Sequence, residues 1–104
     1  MSTSAGASVD HAPAGFDLGG AWRIAPGVAV RPERFGALVY SFDTRRLSFL
    51  KSRLLFDVVR TLADHASARA ACAAAGVRAG EIDVMSSALG RLAATGMIVE
   101  RGEA

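Results

Sequence analysis

The apolar positions of this chain change rhythm near Lys51: before it they fall in short runs broken by turn residues, as strands do, and after it they recur every three or four. The stretch from Arg31 to Leu50 reads as strand, turn, strand. Val39, Tyr40, Phe42 and Phe49 favour extended backbone, Gly36 permits a bend, and Asp43-Thr44 interrupts the apolar run as a hairpin turn does. Val28-Ala29-Val30-Arg31, following the turn pair Pro26-Gly27, supplies an earlier strand that Pro32 is expected to stop. Ala37 to Phe42 and Arg46 to Leu50 then complete a three-stranded antiparallel meander. In its last strand Leu47 and Phe49 share one face, while Arg46, Ser48 and Leu50 share the other. If only one face of the sheet is covered, this last strand is left as an open edge.

Three helices are expected to follow. Ser52 is a good N-cap for a helix running to about His65, in which Leu55, Val58, Val59 and Leu62 make one apolar face for the sheet. Arg60 and Asp64 can pair at i, i+4 on its outer side, and His65 falls where a cation suits the helix dipole. Ser67 caps a short alanine-rich helix, Ala68 to Ala75, closed by Gly76. A third helix runs from about Glu81 to Thr95, with Gly96 past its end. Ile82, Met85, Leu89 and Leu92 form its main apolar stripe; beside them Val84, Ala88, Arg91 and Thr95 make a second, more polar one. That second stripe reads equally as a groove wall or as a flank of the core. Trp22-Arg23-Ile24 opens the folded part and Met97 to Glu100 is a last extended piece.

The length of 104 residues allows one domain, expected over residues 21–104, and residues 1–20, rich in Gly, Ala and Ser, read as a disordered tail. The cations are eleven Arg and a single Lys, Lys51. Between Arg23 and Arg60 there are eight basic residues against three acidic ones, which suits an acidic partner as well as a solvated basic face. A lone cysteine, Cys72, excludes an intrachain disulfide and suits a reducing, cytoplasmic setting; its own place is that of a small buried residue. There is neither a signal-peptide pattern nor an apolar run near the ~20 residues of a membrane helix.

Candidate catalytic chemistry is thin. With His11 in the tail and His65 at a helix end, no metal set, phosphate loop, nucleotide fingerprint or iron–sulfur cysteine cluster can be assembled, so neither an enzyme nor a cofactor is expected. A small domain with an open strand suits a binding module. An extended peptide can add to the edge at Arg46 to Leu50 with the third helix as the opposite wall, and Arg45, Arg46 and Arg91 would favour an acidic peptide. The competing class is a winged helix-turn-helix DNA-binding regulator, since two helices flank Gly76-Val77-Arg78 and an extended segment follows. Against it, the would-be recognition helix begins with Glu81 and Asp83 and carries one basic residue, Arg91.

Five linked motifs carry a resemblance. Trp22-Arg23, Val28 to Glu33, Phe35 to Tyr40, Arg45 to Ser52 and Gly96 to Val99 are similar in order and spacing to the peptide chaperones of mycofactocin biosynthesis, the MftB family. The resemblance implies an α+β, PqqD-like winged helix-turn-helix in which a three-stranded antiparallel sheet precedes three helices. It also implies a function: the leader of a ribosomally made precursor peptide adds as a further strand and is presented to a radical S-adenosylmethionine maturase, which modifies the peptide's C-terminal Val-Tyr. Carried onto this chain, the leader would lie along Arg45, Arg46, Leu47, Ser48, Phe49 and Leu50 and face Val84, Ala88 and Arg91. Neither nucleic acid nor membrane is implied as a partner, and a second copy is the alternative occupant of the open edge.

Overall fold

A computed structural model describes residues 16–101. The order of elements is β1 (Trp22–Ile24), β2 (Val28–Glu33), β3 (Gly36–Ser41), β4 (Leu47–Leu50), α1 (Arg53–Arg60), α2 (Ala68–Ala75), α3 (Ile82–Ala94) and β5 (Ile98–Glu100), with short 3₁₀ turns at Leu62–Asp64 and Ala79–Glu81. The class is α+β. β2, β3 and β4 form an antiparallel meander in that order, as the strand and turn residues predict, and β1 pairs antiparallel with β5 in a separate ribbon.

One pleat of the meander faces the helices. Ala37, Val39 and Leu50 are buried there with Val58 and Val59 of α1, Leu62 of the first 3₁₀ turn, Ala68, Ala71 and Cys72 of α2, Met85, Leu89 and Leu92 of α3, and Met97 and Ile98. The expected apolar stripe of α1 is thus the face that enters the core. So is the main stripe of α3, with Ile82 half-buried at its margin. The alanines of α2 let its backbone approach closely, so that Ala68 and Ala71 have no solvent contact.

Caps fix the helix ends. The Ser52 hydroxyl accepts the Leu55 N–H at 2.8 Å and the Ser67 hydroxyl accepts the Ala70 N–H at 3.0 Å, each satisfying a first-turn donor that has no intrahelical partner. Gly76, at φ +93, closes α2 in the left-handed conformation, with the Val77 N–H returning to the Cys72 carbonyl. Gly36 is needed for a different reason. Its φ is +151 and a Cβ there would overlap the Leu50 carbonyl oxygen, so β3 can start against the end of β4 only if this residue is glycine.

Four expectations are corrected. Pro32 does not stop β2 but lies within it, opposite Ala37; β2 is an edge strand, where a residue without an N–H can sit with its nitrogen turned away from the ladder. The helix begun at Ser52 ends at Arg60 rather than near His65, because the chain tightens into the 3₁₀ turn. Arg60 consequently pairs with Asp57 at 3.2 Å, not with Asp64, and His65 lies beyond the helix, its carbonyl accepting from Arg101 Nη2 at 2.8 Å. Finally, residues 16–20, expected to belong to a disordered tail, are packed against the domain. Phe16 stacks on Trp22 at 5.0 Å, and the Leu18 and Gly20 carbonyls accept the Arg69 and Ala68 N–H groups at the start of α2; residues 1–15 lie outside the described residues.

Candidate peptide-binding groove

The hydrogen-bond phase of β4 decides what its free side offers. The Ser41 N–H donates to the Arg46 carbonyl at 2.9 Å and the Arg45 N–H to the Ser41 carbonyl at 2.8 Å, a bulge in which Arg45 takes φ +61, a place glycine usually fills. Alternation from there makes Val39–Ser48 and Ala37–Leu50 the bonded pairs. Leu47 and Phe49 therefore turn their backbone N–H and C=O groups away from β3, toward the open edge. β4 is four residues long and ends the sheet on this side, whereas the opposite edge strand, β2, carries Pro32.

That edge forms one wall of a groove of about 600 Å³. Leu47, Ser48, Phe49 and Leu50 line it on the sheet side, Lys51, Ser52 and Leu55 at the β4–α1 junction, and Val84, Met85, Ala88, Arg91, Leu92 and Thr95 on α3. The second stripe of α3 is therefore a groove wall. Val84 is 73% exposed, an unusual position for a valine with a buried core beside it. Arg91 is the exposed cation of this wall and Lys51 that of the junction.

Of the residues singled out in the sequence, Leu47 to Leu50, Val84, Ala88 and Arg91 come together here. Arg45 and Arg46 do not line the groove; both are exposed in the turn leading into β4. Sequence reasoning missed Lys51, Ser52 and Leu55, since the β4–α1 junction carries only a capping signal, and Met85 and Leu92 were assigned wholly to the core. Thr95 was legible as the last member of the second stripe.

An unpaired strand edge facing a helix wall across an apolar groove is the geometry in which an extended peptide adds as a strand. Comparison with known proteins identifies the family. The Peptide chaperone MftB family matches residues 21–99. This chain belongs to that family. It is 52% identical over 86 residues to a peptide chaperone MftB of Mycobacterium tuberculosis, covering 83% of this chain and 79% of the relative. With the Mycobacterium ulcerans protein of the same name the identity is 54% over 84 residues, covering 81% and 77%, and with that of Mycolicibacterium smegmatis 51% over 84 residues, covering 81% and 82%. No solved structure matches the chain.

The family's matched span begins at the residue before β1 and ends inside β5, so it covers the groove and nearly all of the β1–β5 ribbon. No helix among the described residues is long and apolar enough to cross a membrane, and these residues contain no cluster of three or more His, Cys, Asp or Glu side chains able to hold a metal ion.

Proposed function

We propose that this member of a peptide chaperone family, a non-catalytic protein, binds the leader of the mycofactocin precursor peptide as a fourth strand on β4 and presents it to a radical S-adenosylmethionine maturase. The observation that supports this most is the phase of β4, which directs the N–H and C=O of Leu47 and Phe49 into a groove walled by α3. Those groups offer about four hydrogen bonds, each worth roughly 0.5–1.5 kcal/mol net. Association itself costs on the order of 4–15 kcal/mol. Backbone pairing alone is too weak, and leader side chains must fill the apolar space between Leu50, Leu55, Val84 and Ala88. Arg91 and Lys51 then favour carboxylates on the flanking leader positions. On this reading the scaffold is a PqqD-like winged helix-turn-helix used for peptide rather than DNA.

The DNA-binding alternative is disfavoured by charge. Glu81 and Asp83 are exposed at the start of α3, Glu81 accepts the Arg78 N–H at 3.0 Å, and the only cation of the helix is on the groove side. The test is a titration of the full chain with synthetic precursor peptide and with duplex DNA. Saturable peptide binding with no DNA binding is expected; tight DNA binding without peptide binding would sink the proposal.

A further inference from the structure

The face of the meander that points away from the helices carries an apolar stripe that the described fold leaves uncovered. Leu38, Tyr40 and Phe42 alternate with the buried Val39 and Ser41 along β3 and its turn, Phe49 lies opposite Leu38, and Leu47 lies opposite Tyr40. Phe35, from the turn between β2 and β3, extends the stripe by meeting Phe49 at a ring separation of 5.9 Å, and Phe42 meets Tyr40 edge-on at 5.0 Å. Phe35, Phe42, Leu47 and Phe49 are 47%, 60%, 53% and 55% exposed, and the only other exposed large apolar side chain among the described residues is Val84 of the groove. Contiguous exposed aromatics of this kind mark interaction surfaces, whereas singly scattered ones do not.

Charge selects the occupant. From Arg31 to Lys51 there are five basic residues against two acidic ones. Glu33 is engaged by Arg31 at 2.8 Å, and no ion pair forms at Arg34, Arg45, Arg46 or Lys51 among the described residues. A second copy would set this basic rim against its own like charges, which opposes self-association face to face. We infer that this stripe is the docking surface for a folded partner protein presenting an apolar patch rimmed by Asp and Glu. Resting on the chaperone reading above, that partner is the enzyme that receives the peptide. The arrangement has a consequence for loading. A leader strand added to β4 continues the same sheet, so its alternate side chains stand beside Leu47 and Phe49 on the outer face. The enzyme meets chaperone and cargo as one surface and binds the loaded form more tightly than the empty one.

Phe42→Asp tests this in the full chain, because Phe42 lies outside the groove and is mostly exposed. Leader affinity, read by fluorescence polarisation, is expected to stay within about twofold of wild type. Affinity for the maturase, read by calorimetry with and without leader, is expected to fall by about tenfold or more. Arg34→Glu, a second and structurally milder change, is expected to weaken the same association at low salt, with the difference fading by about 0.5 M salt. Circular dichroism establishes that both variants are folded. The inference is overturned if both variants hold the leader and bind the maturase as wild type does, or if wild type sediments as a dimer that Phe42→Asp dissociates. If wild type itself fails to bind the leader, the chaperone reading falls, and this inference with it.

Discussion

At the scale of single residues, two positions connect local chemistry to the groove. Gly36 holds β3 against the Leu50–Ser52 backbone at a φ of +151, with no room for a Cβ. Gly36→Ala has to push the end of β4 outward, and a loss of about 2–3 kcal/mol in urea-determined stability is expected, together with weaker leader binding, because Leu50 lines the groove. Cys72 is the other position. Burial pushes its thiol above the ordinary value, with the Arg69 guanidinium opposing the shift, so the folded state favours the protonated form more strongly than the unfolded chain does. The sign follows from linkage: this contribution is fully present below the pKa of an unfolded thiol, about 8.5, and is lost as pH rises above it toward the folded value. Urea midpoints should therefore decline over that alkaline range more steeply for wild type than for Cys72→Ala. A wild type as flat as the variant would contradict a buried neutral thiol.

At the scale of elements, the two edges of one sheet behave oppositely. Pro32 sits in β2 opposite Ala37, at a non-bonded position, so its missing N–H is lost from the outward side of the sheet, and that edge is poorly suited to receiving another strand. β4 has no proline, and its outward groups belong to Leu47 and Phe49. Leu47→Pro removes one of those donors and fixes φ in a strand of four residues. The variant is expected to remain folded, since Leu47 is 53% exposed and bonded pairing falls on its neighbours, yet to lose leader binding by about tenfold or more. Unchanged affinity in a folded Leu47→Pro variant would argue that the peptide does not pair with β4. The contrast was half legible in the sequence. A proline ends a central strand, and the sequence does not say which strand is central; only the sheet order shows that β2 is an edge that can contain Pro32.

At the scale of the whole molecule, the fold brings a wall from α3 and an edge from β4 to face each other, with cations distributed around them. Arg91 on the wall and Arg46 before the edge are both exposed and neither forms an ion pair among the described residues. Reversing both, as Arg46→Glu with Arg91→Glu, is expected to weaken leader binding by about tenfold at low ionic strength and to flatten its salt dependence, as exposed charges act through a screened field. Calorimetry at two salt concentrations measures this, and identical salt slopes would remove electrostatics from the recognition. The sequence by itself determined the kind and order of the main elements: the strand-forming runs before Lys51, the three-to-four repeat after it, the serine caps and the closing glycines each act within a few residues, so their outcome does not wait for distant contacts. It also marked both stripes of α3. Only the tertiary structure decided the rest. β1 and β5 are three residues each and come from opposite ends of the domain, too short to announce a partner, and they pair because the core between them brings the ends together. Likewise Val84, Ala88 and Arg91 repeat identically whether they flank a core or wall a groove; only the packed fold, which leaves β4 across a groove from them, separates the two outcomes, and no local signal encodes that placement.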